Sequence, residues 1–257
     1  MHLHAIVSCS SFCSPMPALN THAIRFPIHL TCATRRPFAS MSHPGASPLW
    51  ESMWSKGLGK GEAFDVGSAS GTLLGYLSRT PKLDLAQGAA ALVPGCGRAY
   101  DALALASHGY SRVVALDLSS TAVNAAKEEL KTAADTEAAA RVEVCCGDFF
   151  SYQGQFDLIW DCTFLCALEP SVRAEWAKQQ KSLLKPGGLL LTCIFPIVDK
   201  EGGPPFAMSV PLVRDLVEAE GFECAELKEQ LPEEEMHRPG GLATGPKTAF
   251  AAWKKPS

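Results

Sequence analysis

"LVPGCGRAYD", residues 92–101, decides how the chain folds. The apolar run Leu92-Val93-Pro94 enters a Gly95-Cys96-Gly97 turn, and the "YDALALASHG" that follows has helical composition. A strand, a Gly-x-Gly turn and a helix in that order bring backbone close to a nucleotide-like ligand. Outward from this point strand and helix signals alternate. "AAALVP" (89–94), "RVVALDL" (112–118), "RVEVCCGDF" (141–149), "FDLIWDCTF" (156–164) and "LLLTCIFP" (189–196) read as strands. Between them, 119–140 and "EPSVRAEWAKQQKSLL" (169–184) read as helices, the second stopped by Lys185-Pro186-Gly187-Gly188. Such alternation implies βαβ units and a parallel sheet with helices on both faces. After a helix over 210–221, two alternating strands (222–231 and 248–255) have no helix between them, so they pair antiparallel at one edge. Residues 48–88, with Trp50, Trp54 and Phe64, precede the first sheet strand and are expected to form a helical lid on a single domain, 43–257.

Composition bounds the function classes. Apolar residues make up 47% and charged residues 19%, enough for a real core, and a net charge of −4 gives no case for broad nucleic-acid binding. A membrane helix needs roughly 20 apolar residues; the longest apolar stretch, 189–198, is half that and contains Pro196. No acidic residue precedes Glu51, whereas Arg25, Arg35, Arg36 and five of the seven His do. That bias over 1–42 points to a chloroplast or mitochondrial transit peptide. A disordered tail, or a start at Met41, would instead leave the protein in the cytosol. None of the ten Cys forms a C-x-x-C pair, so reduced, buried thiols and no metal are expected.

The glycine turn calls for an acidic residue about twenty positions on to take ribose hydroxyls. Asp117, 20 residues after Gly97, ends the second strand. The third glycine of the dinucleotide fingerprint is replaced by Tyr100, a bulky side chain where a pyrophosphate must approach, which disfavours a dehydrogenase. A nucleoside ligand without phosphates fits better, and S-adenosylmethionine is one. "GDFF" (147–150) offers an acid and an aromatic for adenine; "LLKPGGLLLT" (183–192) and the terminal antiparallel pair are typical of Rossmann-like class I methyltransferases. The expected architecture is therefore α/β, a mostly parallel seven-stranded sheet with an antiparallel C-terminal strand pair.

The resemblance then becomes specific. "LVPGCGRAYDALALAS", "VVALDLS", "GDFF", "FDLIWDCTFLCALEPSVRAEWAK", "LLKPGG" and "GGPPF" resemble the thiol/halide methyltransferases of plants and algae, within the thiopurine S-methyltransferase superfamily, over residues 48–256. In that family a W-x-x-x-W pattern and a P-W-D-x-G segment wrap the cofactor; Trp50 and Trp54 match the first, and "AFDVG" (63–67) the second with Phe64 for Trp. The resemblance implies a cofactor site lined by Trp50, Trp54, Phe64, Gly95, Gly97, Asp117, Leu118, Asp148, Phe149 and Cys162. Two departures stand out: Cys162 where family members carry Tyr or Arg, and Phe206 where some carry Tyr.

Methyl transfer from a sulfonium to thiol, bisulfide, thiocyanate or halide anions is the expected reaction, an in-line displacement that needs alignment and dehydration rather than a base. No convincing general base appears: His108 ends a helix and His237 lies in a Glu-rich loop. Asp161 either positions a ligand or is satisfied by nearby backbone; Cys162 and Phe206 are further positioning candidates. Phe164, Phe195 and Phe206 are wall candidates for the acceptor pocket. The alternatives are an O- or N-methyltransferase of a small metabolite, or a cofactor-binding domain without turnover. A monomer with a small-molecule or anionic substrate is expected.

Overall fold

The computed structural model describes residues 48–241 and 245–257, all within one compact unit of residues 39–257. The expected leader, 1–42, lies outside the described residues. Two helices lead, α1 (Pro48–Ser55) and α2 (Gly71–Arg79). Next come β1 (Ala90–Pro94), α3 (Tyr100–Ser107), β2 (Arg112–Asp117), α4 (Ser120–Lys131), α5 (Thr136–Ala139) and β3 (Val142–Cys146). They are followed by β4 (Phe156–Cys162), α6 (Arg173–Leu183), β5 (Leu184–Ile197), α7 (Val210–Glu218), β6 (Glu223–Lys228) and β7 (Lys247–Lys254).

One seven-stranded sheet runs β3-β2-β1-β4-β5-β7-β6. β1 to β5 are parallel, and β7 is antiparallel to both of its neighbours. This is the Rossmann-like arrangement expected. The order of the strands reverses between β1 and β4, which opens a crevice beyond their carboxyl ends. Side-chain alternation splits the core in two. Leu92, Val114 and Ile159 face α6 and α7, while Ala91, Val93 and Val113 face α2 and α3. Trp160, Trp176 and Trp253 are fully buried, each worth on the order of 2–3 kcal/mol of apolar burial. Among the described residues no helix is long and apolar enough to cross a membrane.

Three element readings change. The helix expected over 119–140 divides into α4 and α5 because Asp135 accepts the Ala138 N–H at 2.9 Å and starts a new helix. Lys185-Pro186-Gly187-Gly188 does not lie outside the sheet; β5 already begins at Leu184, opposite Phe156, and its register jumps to Leu189 opposite Leu158. The last strand is buried on both faces from Thr248 to Trp253 rather than alternating, because β7 sits inside the sheet and β6 forms the edge.

Candidate functional site

A cavity of about 660 Å³ opens beyond the carboxyl ends of β1 to β5, within the range of a small-ligand site. Its floor is the turn after β1. Gly95 (φ 61°) and Gly97 (φ 51°) are left-handed, and the Gly95 position is crowded as well. A Cβ on Gly95 would stand 2.7 Å from the Phe164 ring; one on Gly97 would stand 3.4 Å from Trp54. Asp117 closes the next strand. Its Oδ2 accepts the Gly97 N–H at 3.0 Å and its Oδ1 the Ser119 N–H at 2.9 Å, so the carboxylate braces the turn and the start of α4 together. Burial pushes its pKa up to about 6 against these hydrogen bonds. After β3, Asp148 Oδ1 accepts the Phe150 N–H at 3.0 Å, and the Phe149 ring packs edge-on against Phe164 at 5.0 Å.

The roof is α1 and the segment after it. Trp50 and Trp54 flank Phe64, with ring centroids 5.7 and 5.8 Å apart. Three polar ties hold this roof down. Glu51 accepts from the hydroxyls of Ser119 (2.6 Å) and Thr121 at the N-terminus of α4, where a negative charge meets unpaired N–H groups and the helix dipole. Those bonds hold its carboxyl below the ordinary range. Asp65 pairs with Arg98 Nε at 2.8 Å, and the guanidinium lies 5.6 Å from the Trp54 ring centre. Asp101 accepts the Ser70 N–H and the Trp160 indole N–H, both at 2.7 Å.

Every residue expected at the cofactor lines this cavity, from Trp50 and Trp54 through Phe64, Gly95, Gly97, Asp117, Leu118, Asp148 and Phe149 to Cys162. Phe164 and Phe195 line it as well. Asp161 and Phe206 do not. Asp161 is 2% exposed and faces α6, where it accepts the Leu165 N–H at 3.1 Å and the Trp176 indole N–H at 2.8 Å. Adjacent strand residues point to opposite faces, so Cys162 takes the crevice side. Phe206 is drawn away by its N–H bond to the Cys166 carbonyl (2.7 Å) and by the Arg173 guanidinium 5.5 Å from its ring.

Three features escaped the sequence. His237, placed in a Glu-rich loop, is buried against the cavity wall. Cys162 and Cys193, far apart in sequence, are register partners on β4 and β5, and with His237 their ligand atoms lie within 4.8 Å of one another. Cross-strand pairing of this kind is invisible to spacing along the chain. The Glu51 latch also went unseen, although an acidic residue inside the tryptophan pair, next to Trp50 and three before Trp54, was a signal on offer. His108 caps α3, and burial holds its imidazole below the ordinary value.

Over residues 46–254 the chain matches the family described as Thiopurine S-methyltransferase (TPMT). The chain belongs to that family. It is 35% identical over 230 residues to probable thiol methyltransferase 2 of Arabidopsis thaliana, covering 88% of this chain and 92% of the relative. It is 35% identical over 209 residues to thiocyanate methyltransferase 1 of Brassica oleracea, covering 80% and 84%. Among solved structures, the glycopeptide N-methyltransferase MtfA complexed with S-adenosyl-L-methionine superposes with a TM-score of 0.56 at 15% identity, over 76% of this chain and 97% of that one, a likeness of fold. This member of the thiopurine S-methyltransferase family is an S-adenosylmethionine-dependent methyltransferase. Its cavity fits that cofactor, with a buried carboxylate beside a left-handed glycine turn, aromatic rings above it, and volume for a nucleoside with an amino-acid tail. When bound, S-adenosylmethionine supplies an electrophilic methyl group on a sulfonium.

Proposed function

We propose that this methyltransferase acts on small sulfur and halide anions, namely thiolates, bisulfide, thiocyanate and iodide, by in-line displacement. Asp117 takes the ribose hydroxyls; Asp148 and Phe149 take adenine; Gly95 and Gly97 let the chain pass close to the methionine tail. Trp50, Trp54 and Phe64 cover the site, excluding water and facing the sulfonium with aromatic rings, contacts worth roughly 0.5–2 kcal/mol. Cys162, Phe164 and Phe195 wall the acceptor end, beyond β4 and β5. The printed names of the thiol and thiocyanate methyltransferase relatives support the substrate class.

The observation that carries the reading is the state of the carboxylates at the acceptor end. Asp101 has both oxygens committed to Ser70 and Trp160, and Asp161 faces away from the cavity. An acceptor that arrives as an anion needs no base at all, whereas an alcohol or ammonium acceptor does, and these carboxylates are not placed to supply one. What the site must do is align and dehydrate, and orientation alone can contribute ~7–11 kcal/mol.

Methyl-labelled S-adenosylmethionine, incubated with the protein and separately with thiocyanate, bisulfide, iodide and a thiopurine, tests this. Labelled methyl thiocyanate, methanethiol or methyl iodide is expected. Product from the thiopurine alone, or from none of the four while the cofactor binds, would overturn the anion reading.

A further inference from the structure

The acceptor end of the cavity holds a buried polar atom without a partner. His237 lies in the β6–β7 connection and is 5% exposed. Its backbone N–H donates to Thr248 Oγ1 of β7 at 3.1 Å, and its ring packs edge-on against Phe195, centroids 4.6 Å apart. The preceding residues are pinned to α2: the Thr72 hydroxyl donates to the Glu235 carbonyl at 2.6 Å, and Arg79 pairs with the Glu235 carboxylate at 2.9 Å. The imidazole is therefore held in place rather than free to swing out. Its Nδ1 stands 3.9 Å from the Cys162 sulfur, whereas Nε2 is buried with no hydrogen-bond partner. Native interiors rarely leave such a group without a ligand, ion or water to meet it.

We propose that His237, with the Cys162 thiol beside it and Cys193 behind, is the seat that holds the methyl-acceptor anion. The role as acceptor seat rests on the anion reading above; the binding itself does not. The chemistry of the three groups suits an anion. A hydrogen bond with Cys193 and burial raise the Cys162 thiol well above its ordinary value, so it meets a ligand as a neutral S–H, a weak and polarisable donor. Burial opposes charge on His237, whereas the contact with Cys162 and the nearby Asp101 carboxylate favour it, and the balance moves its titration upward. The titratable groups that face it are Cys162 from β4, Cys193 from β5 and Asp101 from α3.

The experiment uses the full-length protein, wild type, His237→Gln and His237→Phe. Calorimetry with S-adenosylhomocysteine comes first, and affinity close to wild type certifies each variant as folded at the cofactor. Thiocyanate is then titrated into the S-adenosylhomocysteine complex. His237→Phe is expected to weaken thiocyanate binding at least about tenfold, and His237→Gln, which keeps an N–H without the charge, by less. Wild-type affinity falls as pH rises through the imidazole range, and His237→Gln removes that slope. Thiocyanate binding unchanged in His237→Phe would overturn the seat. So would one tightly held zinc per chain in the purified protein, which would make Cys162, Cys193 and His237 a metal site. Thiocyanate binding lost in His237→Phe, with no wild-type turnover on any anion, leaves the seat standing and refutes the anion-methylation reading. Turnover with an unchanged KM in His237→Phe does the reverse.

Discussion

Asp117→Ala separates the brace that this carboxylate provides from the ribose contact proposed for it. In the folded protein the side chain is 8% exposed and accepts N–H groups from Gly97 and Ser119 at 3.0 and 2.9 Å. Removing it strands both donors, at ~1–3 kcal/mol each where water does not replace the oxygen. Against this, burial has raised the carboxyl from 3.8 to about 6. Holding it ionised at neutral pH therefore costs on the order of 3 kcal/mol, which the substitution releases. The opposing effects nearly cancel, and the variant is expected to melt close to wild type. Binding has no such compensation. Two hydrogen bonds from the ribose to a charged acceptor are worth ~1.5–3 kcal/mol each, so affinity for S-adenosylhomocysteine should fall roughly 10²- to 10⁴-fold. Calorimetric titration above about pH 7, with thermal unfolding of the same sample, gives both numbers. A folded variant with wild-type affinity would refute the ribose assignment; a large drop in melting temperature would refute the cancellation.

The same carboxylate sets a pH window. Its folded pKa lies above the ordinary value, so between pH 3.8 and about 6 the folded state holds more protons than the unfolded one. Its contribution to stability is therefore greatest below that window, shrinks as pH rises through it, and is level above; a urea-unfolding series between those limits reads the slope, and Asp117→Ala should reduce it. Ribose binding needs the ionised form, so wild-type affinity for S-adenosylhomocysteine should rise with pH and level off above about 6; a flat profile would refute this. Gly95→Ala adds a Cβ 2.7 Å from the Phe164 ring at a φ of 61°. It should cost ~1–2 kcal/mol in strain and displace Phe164 into the cavity, weakening cofactor binding; unchanged affinity would count against it. Asp161→Ala strands the Leu165 N–H and the Trp176 indole N–H in dry core. Burial raises that carboxyl to about 6 as it does Asp117's, so the same release offsets the stranded donors; the variant should melt near wild type and, unlike Asp117→Ala, keep its cofactor affinity. Lost affinity at full stability would return Asp161 to the ligand site.

The β1–β3 end of the cavity, the proposed cofactor half, was legible as a cavity lining because it is assembled locally. Gly95, Gly97 and Asp117 lie within one β1–α3–β2 unit, and Asp148 and Phe149 follow the next strand directly. In such units the spacing along the chain is the spacing in space. Asp161 shows where this fails. Strand alternation says that Asp161 and Cys162 face opposite sides, but not which of them faces the crevice; that depends on Trp176 of α6 offering its indole N–H to the carboxylate. Phe206 fails for a similar reason, since Arg173 and the Cys166 carbonyl draw it out of the wall.

The acceptor half is assembled from distant pieces, and its parts were the hardest to see. Cys162 meets Cys193 across β4 and β5, and His237 arrives from the β6–β7 connection, tied down by Thr72 and Thr248. None of these contacts lies in the glycine turn, in Asp117 or in the Glu51 latch. Substitutions around His237 can therefore reshape the acceptor seat while the bonds that position the cofactor stay intact. The departure at Cys162 follows that logic: it changes a wall residue at the junction of the two halves and leaves every tie of the β1 turn in place. Acceptor preference and cofactor affinity should vary independently in this fold, and substitutions at His237 should move the first without the second.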